Sequence, residues 1–309
     1  MAKPKFLIFL SFLALIAFSS CSQDSHGDDN VVRLAYLPIT HSLITMIMAL
    51  DSLSSPDDPY RIELTRFSSW PDVVDAMRAG RVDGASILFE VALQARENGD
   101  AFVMLALAHR SGNVFVVDNS IETYADLIGT TVAIPHRLSP QHTLLLSVLE
   151  RENISINDLR LIEISPAEMP FTMASGAISA FIVAEPFGSV AEISGVGRIL
   201  ETSDDINPDS ICCVMVFREQ NDEAKFEWAL RRFEEASHLA EHSEDSILRS
   251  IFREHSNSSD EVISQSFEHI TFNNLTLTEE EYNHITSEII RFGILESVPN
   301  FGDFALQRD

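Results

Sequence analysis

One unit constrains the fold of this chain more than any other: a short helix, a glycine that stops it, and a buried strand, present twice. "DAMRAGRVDGASILFE" overlies "FTMASGAISAFIVAEP" when Gly80 is set on Gly176, so that Met77 meets Met173, Val82 meets Ile178, Gly84 meets Ala180 and Ile87 meets Val183. A spacing of 96 residues is too long for a solenoid repeat and suits two similar lobes with a cleft between them. The flanking pattern agrees. Val31 to Leu37 reads as a strand, Pro38 to Ser42 as a turn, Leu43 to Leu50 as a helix and Tyr60 to Phe67 as a strand. Ser69-Trp70-Pro71 opens the first helix of the repeat and Gly80 closes it. Ser120 precedes Ile121 to Ile128, Gly129 and a strand at Thr131 to Ile134; Ser139-Pro140 opens a helix through Glu150; Ser165 to Glu168 has the spacing of a capping box. Strands alternating with helices define an α/β class. Beyond Asn221 the character changes to amphipathic helices at Lys225 to His242, Glu244 to His255, Asp260 to Ile270 and Glu279 to Phe292, the last opened by Thr278 and Glu281.

The N-terminus reads as an export signal. Lys3 and Lys5 precede an apolar run from Phe6 to Phe18, interrupted by Ser11, and Ser19-Ser20 supply small residues before Cys21. Thirteen residues at about 1.5 Å each fall short of a ~30 Å hydrocarbon core. A lone Cys at this junction resembles the lipobox of bacterial lipoproteins, with Phe18 where Leu is usual. On that reading residues 1–20 are removed, Cys21 carries the lipid, and 21–30 form a flexible linker. Two acyl chains suffice for stable anchoring. The remaining cysteines, Cys212 and Cys213, are adjacent, so a bridge between them would be strained, and no spaced metal-thiolate set is present. They read as small residues of a strand from Ile211 to Phe217, and no metal or cofactor is expected.

Acidic residues outnumber basic ones 47 to 21, a formal charge of -26, and only Lys3, Lys5 and Lys225 are lysines. Loss of the signal would leave 19 basic residues and a charge of -28. With no cluster of Lys and Arg to displace phosphate counterions, nucleic acid is excluded as a partner. No Walker loop, G-x-G-x-x-G, G-x-S-x-G, H-E-x-x-H or C-x-x-C occurs, so no catalytic residues are assigned. What recurs is a polar loop feeding a helix N-terminus, at Pro38 to Ser42, Ser68 to Pro71 and Pro135 to Pro140. Unpaired N–H groups at helix starts bind anions, and in α/β sheets ligands gather at the carboxyl ends of strands.

Trp70 with "AGRVDGA", "AIPHRLSPQHTLLLSVL", "ISPAEMPFTMASGAISAFIVAEPFGSVAEISGVGRIL" and "ICCVMV" together resemble the nitrate/sulfonate/taurine and bicarbonate group of ABC-transporter substrate-binding proteins, over roughly Val31 to Phe217. The resemblance implies a type II periplasmic-binding fold: two α/β lobes that close on a solute and deliver it to a permease and its ATPase. Lobe 1 would comprise 31–112 and 218–309 and lobe 2 113–217, with crossings near Ser111 to Val117 and Met215 to Glu219. Carried over by position, Thr40, His41 and Ser42 line the first loop, Trp70 walls the pocket, and Ser86, Leu88 and Phe89 end the opposite strand. His136 and Ser139 offer donors. Glu185 is open to three readings: an ion pair with Arg137, a contact to a ligand amine, or a hinge role.

The solute is less constrained. "GASILFEVAL" after Asp83 lacks the polar character of nitrate and bicarbonate binders, so an alkylsulfonate or a pyrimidine-type heteroaromatic is as compatible as nitrate. The expected protein is a monomeric, exported, lipid-anchored binder and not an enzyme. Two other functions compete: a sensing module that docks on a receptor, and a pyrimidine-precursor synthase using His136 or His41 with Cys212-Cys213. Two cysteines are few for the latter, and export separates it from a cytosolic supply.

Overall fold

The computed structural model describes residues 30–208, 210–219 and 222–306. The expected signal segment, Cys21 and all of the linker except Asn30 lie outside them. Twelve strands occur among the described residues. They are β1 (Val31–Tyr36), β2 (Arg61–Arg66), β3 (Gly84–Leu88), β4 (Phe102–Leu107), β5 (Arg110–Ser111), β6 (Asn113–Val117), β7 (Thr131–Ile134), β8 (Arg160–Glu163), β9 (Ala180–Ala184), β10 (Arg198–Thr202), β11 (Cys213–Arg218) and β12 (Ile270–Thr271). Two five-stranded sheets result, ordered β2-β1-β3-β11-β4 and β10-β6-β9-β7-β8.

Read from opposite ends, the two sheets are the same arrangement. In each, three parallel strands are followed by an antiparallel strand and then a fifth. The repeat agrees residue by residue. Gly84 opens β3 opposite Leu34 and Phe217, and Ala180 opens β9 opposite Val132 and Val117. Gly80 and Gly176, which stop the preceding helices, have φ of 67° and 75°, the left-handed conformation that favours glycine at a helix end. At Gly84 a Cβ would lie 2.9 Å from the Phe217 ring, so glycine also permits the close approach of β11.

Twelve helices accompany the sheets among the described residues. The first seven are α1 (Leu43–Met48), α2 (Trp70–Arg78), α3 (Phe89–Glu97), α4 (Pro140–Arg151), α5 (Met169–Ala174), α6 (Phe187–Ile193) and α7 (Ser203–Ile206). The tail holds α8 (Glu223–His242), α9 (Asp245–His255), α10 (Asp260–Ser266), α11 (Glu279–Arg291) and α12 (Phe301–Phe304). Period-two alternation puts both faces of the second sheet in core. Phe115, Val117, Val132, Ile134 and Ile182 pack with Leu144 and Val148 of α4, whereas Val114, Val116, Ala133, Phe181 and Val183 pack with Met169, Met173 and Ala191 of α5 and α6. The first sheet shares one large core with α1, α2, α3 and the tail. The tail joins the lobes: α8 and α9 pack on α1, α10 packs on α6, and β12 pairs with β5 beside the crossing. No helix among the described residues is long and apolar enough to cross a membrane.

Several sequence expectations shift. Met215 to Arg218 does not cross between lobes; β11 is hydrogen-bonded between β3 and β4 in the first sheet, so the second crossing lies between Thr202 and Cys213. A strand filling the centre of a sheet satisfies both its edges, which the sequence pattern alone does not assign to a lobe. Ile121 to Ile128 holds only a turn of 3-10 helix at Tyr124–Leu127, boxed by Thr123 and Asp126 instead of Ser120. Ser165 makes no side-chain cap bond, whereas the Thr278–Glu281 box forms as read. The helix opened by Asp260 ends at Ser266, and Ile270 belongs to β12.

Candidate functional site

The loop after β1 carries Thr40, His41 and Ser42 into the seam between the lobes, where all three are fully buried. Thr40 is tied to the far lobe: its N–H and its hydroxyl both donate to the Glu185 carbonyl, at 3.0 and 3.1 Å. His41 is oriented from the crossing. One ring nitrogen, Nε2, lies 2.8 Å from the Gly112 carbonyl, which can only accept. Nε2 therefore carries the proton and Nδ1 the lone pair. Gly112 is required for this approach, since its φ is 87° and a Cβ would stand 2.6 Å from His41 Nε2.

That lone pair faces sulfur. His41 Nδ1 is 3.3 Å from Cys212 Sγ and 3.7 Å from Cys213 Sγ, and the two sulfurs, which are not bonded to each other, are 3.7 Å apart. Cys212 precedes β11, so its backbone is free of the strand alternation that would send neighbouring side chains to opposite faces. Its carbonyl accepts from the Phe89 N–H, and the Cys213 N–H donates to His109 Nε2 at 3.3 Å. His109 follows β4 and stacks on His41, with ring centroids 3.7 Å apart and planes 31° from parallel. All four side chains are at most 1% exposed.

The second lobe closes over this floor. Gln141, in the first turn of α4, donates to Asn113 Oδ1 at 2.6 Å and to Cys212 Sγ at 3.5 Å. Thr143 on the same helix donates to Glu90 Oε1 at 2.9 Å, and Ser86 donates to the His41 carbonyl. Six buried side-chain polar atoms lack a hydrogen-bond partner among the described residues, and four of them belong to this neighbourhood: Ser42 Oγ, Glu90 Oε2, His109 Nδ1 and Gln141 Oε1. Leaving such atoms unpaired costs about 1–3 kcal/mol each, so their convergence marks a place built to meet something. Among the described residues no lysine or arginine bonds to any of these groups; Arg110, next to His109, turns to the carbonyls of Asn274 and Thr276 and to Glu281.

The electrostatics follow from burial. Desolvation pushes Glu90 up to about 8, so it is protonated at neutral pH. Burial, with His41 beside it, pushes His109 down to about 4 and keeps it neutral. Burial also opposes ionisation of Cys212, but the hydrogen bond with Cys213 and the two imidazoles outweigh it and hold this thiol well below its ordinary value. Cys213 is pushed well above its own, by burial and by its neighbour Cys212.

The other sequence candidates fall elsewhere. Ser139 caps α4, accepting from His142 N–H and donating to the His136 carbonyl. Trp70 and His136 meet at the outer seam, lining two small depressions with Pro71. His136 braces its own loop, its Nδ1 accepting from Leu138 N–H at 3.0 Å. Leu88 and Phe89 lie in the core of lobe 1, Phe89 edge-on to Tyr282 and Phe304. Of the three readings of Glu185, the ion pair with Arg137 does not form, since Arg137 pairs with Glu163. Both Glu185 oxygens are taken within the protein, by the backbone and hydroxyl of Ser189 and by His269 Nδ1 at 2.7 Å. His109, Asn113, Gln141 and Glu90 were not singled out by sequence; the available signal was an imidazole directly after an apolar strand.

Comparisons with known proteins converge on one group. Residues 25–245 match the NMT1-like family. A solved structure of the ligand-binding component of an ABC-type import system from Staphylococcus aureus, with zinc bound, is 31% identical over 90% of this chain and 96% of that one, with a TM-score of 0.83. An aliphatic sulfonates-binding protein of Escherichia coli is 24% identical over 207 residues, 65% of this chain. The chain spans 64% of the length of that relative. The nitrate-binding protein of Synechocystis, 17% identical over 89% of this chain and 83% of that one, has the same fold at a TM-score of 0.71.

Proposed function

The chain belongs to the NMT1-like family, and from that membership we propose that it is the extracytoplasmic solute-binding component of an ABC importer. It captures a small solute between its lobes, closes over it, and presents the closed form to a permease driven by an ATPase. The observation that carries this reading is the gathering of four unpartnered buried polar atoms at the seam, on residues from both lobes. A cleft that buries its own polar groups against nothing is the expected design of a site completed by a ligand. The relatives support it: one is named for aliphatic sulfonates, one for nitrate, and one is an ABC-type ligand-binding component crystallised with zinc. No covalent step is required, because hinge closure is the whole mechanism. Anchoring through Cys21 would keep the binder near its permease, and a single chain supplies both lobes of the site.

A thermal-denaturation screen of the purified protein against nitrate, bicarbonate, taurine, alkylsulfonates, pyrimidines and divalent metal ions tests this reading. One of these is expected to raise the melting temperature and to shrink the radius of gyration in small-angle scattering. Stabilisation by none of them, with no compaction, would contradict it. If an organic solute binds, Trp70→Ala with His136→Ala decides whether the outer seam contributes.

A further inference from the structure

We propose that the floor of the seam is a tetrahedral site for a thiophilic divalent ion of the Zn2+ type, held by His41, His109, Cys212 and Cys213. The inference rests on the importer reading and deepens it, naming the class of ligand that the seam takes.

Geometry carries the argument. One ligand atom from each of the four side chains lies within 4.8 Å of all the others. A tetrahedral ion with metal–sulfur bonds of about 2.3 Å and metal–nitrogen bonds of about 2.0–2.1 Å has edges of roughly 3.8 Å between sulfurs and roughly 3.5 Å between sulfur and nitrogen. The measured separations are 3.7 Å between sulfurs, and 3.3 and 3.7 Å from sulfur to His41 Nδ1. Two sulfurs and one imidazole nitrogen at tetrahedral spacing, with His109 offering a second nitrogen in the same 4.8 Å group, select zinc over hard cations such as Mg2+ or Ca2+, which take oxygen donors.

The outer shell is also that of a metal site. His41 donates its other ring N–H to a backbone carbonyl, the arrangement that fixes a ligating tautomer. Gln141 donates to Cys212 Sγ, as outer-shell amides do to thiolates. The first shell comes entirely from segments bordering the sheet of lobe 1, while Gln141 and Asn113 come from the second lobe and its first strand. An ion can therefore load on the open form and be covered on closure. An oxyanion at this position would face sulfur and neutral imidazole without an arginine or lysine to pair with it.

The test uses the purified protein, stripped with chelator and then titrated with Zn2+ or Co2+. The expected result is about one ion per chain and a cobalt spectrum with intense tetrahedral bands and thiolate-to-cobalt charge transfer. Cys212→Ser with Cys213→Ser should abolish the charge-transfer band. His41→Ala should weaken binding by at least about 10-fold. His238→Ala with His242→Ala, which removes an exposed imidazole pair on α8 with centroids 4.1 Å apart, should leave both unchanged. Because the cysteine variants could fail to fold, Gln141→Ala serves as the milder probe and is expected to weaken cobalt binding by about 10–100-fold. Octahedral cobalt without charge transfer, or binding lost with the His238/His242 pair, would overturn the proposal. If metal fails but a sulfonate, nitrate or pyrimidine stabilises the chain, this inference falls and the importer reading stands; if neither metal nor solute binds, both fall.

Discussion

Gly112 links backbone geometry to site chemistry. It sits with Ser111 in the left-handed region, at φ of 87° and 62°, and its carbonyl orients His41. Gly112→Ala would add a Cβ 2.6 Å from His41 Nε2 on a backbone that disfavours it, an expected loss of about 1–3 kcal/mol measurable by urea denaturation. His269 offers a pH test away from the four-residue cluster. Its hydrogen bond to Glu185 raises its pKa against the opposing effect of burial, with Glu268 and Glu192 adding to the rise and Asp205 also nearby. A folded-state value above the unfolded one stabilises fully below about 6.5, the ordinary histidine value, and the benefit fades as pH rises through the raised value. The stability difference between the native chain and His269→Gln is therefore expected to be largest in mildly acidic buffer and to shrink in alkaline buffer. A difference that grows with pH would contradict this assignment.

Helix ends decide how the second lobe reaches the floor. Ser139 and Pro140 start α4 where Gln141 and Thr143 point into the seam. The capping serine was legible from sequence; its neighbours' contacts were not, because they depend on the crossing that brings Asn113 and Cys212 alongside. The Thr278–Glu281 box of α11 was equally legible, being a local pattern with a local cause. Thr278→Ala is expected to lower stability by about 1 kcal/mol with ligand binding retained, since the bonds of the Thr278 cap run to Glu281 and not to the floor. The cysteine pair marks the limit of local reading. Neighbours within a strand face opposite ways, but β11 begins only at Cys213, so both sulfurs turn toward His41. Four side chains drawn from the ends of two strands and one loop leave no spacing motif to find.

The two-lobed architecture was readable because repetition survives in sequence: the pairing of Gly84 with Ala180 reappears in the sheets as equivalent register positions. The lobe boundary was less so, since β11 returns from the second lobe to the centre of the first sheet. That return places Cys212 and Cys213 at the end of the second crossing, opposite His109 and Gly112 at the first. The floor of the seam is thus made where both crossings meet. The overall charge of -26 describes the surface, and exposed charges beyond about 8–10 Å are screened at physiological salt; the ligand is selected by the buried sulfurs and imidazoles. Anomalous scattering at the zinc edge, from crystals of the zinc-loaded protein, tests this most directly. The expected result is a single strong peak enclosed by His41, His109, Cys212 and Cys213 with the lobes closed over it. A peak only at His238 and His242, or no peak at the seam, would contradict the account.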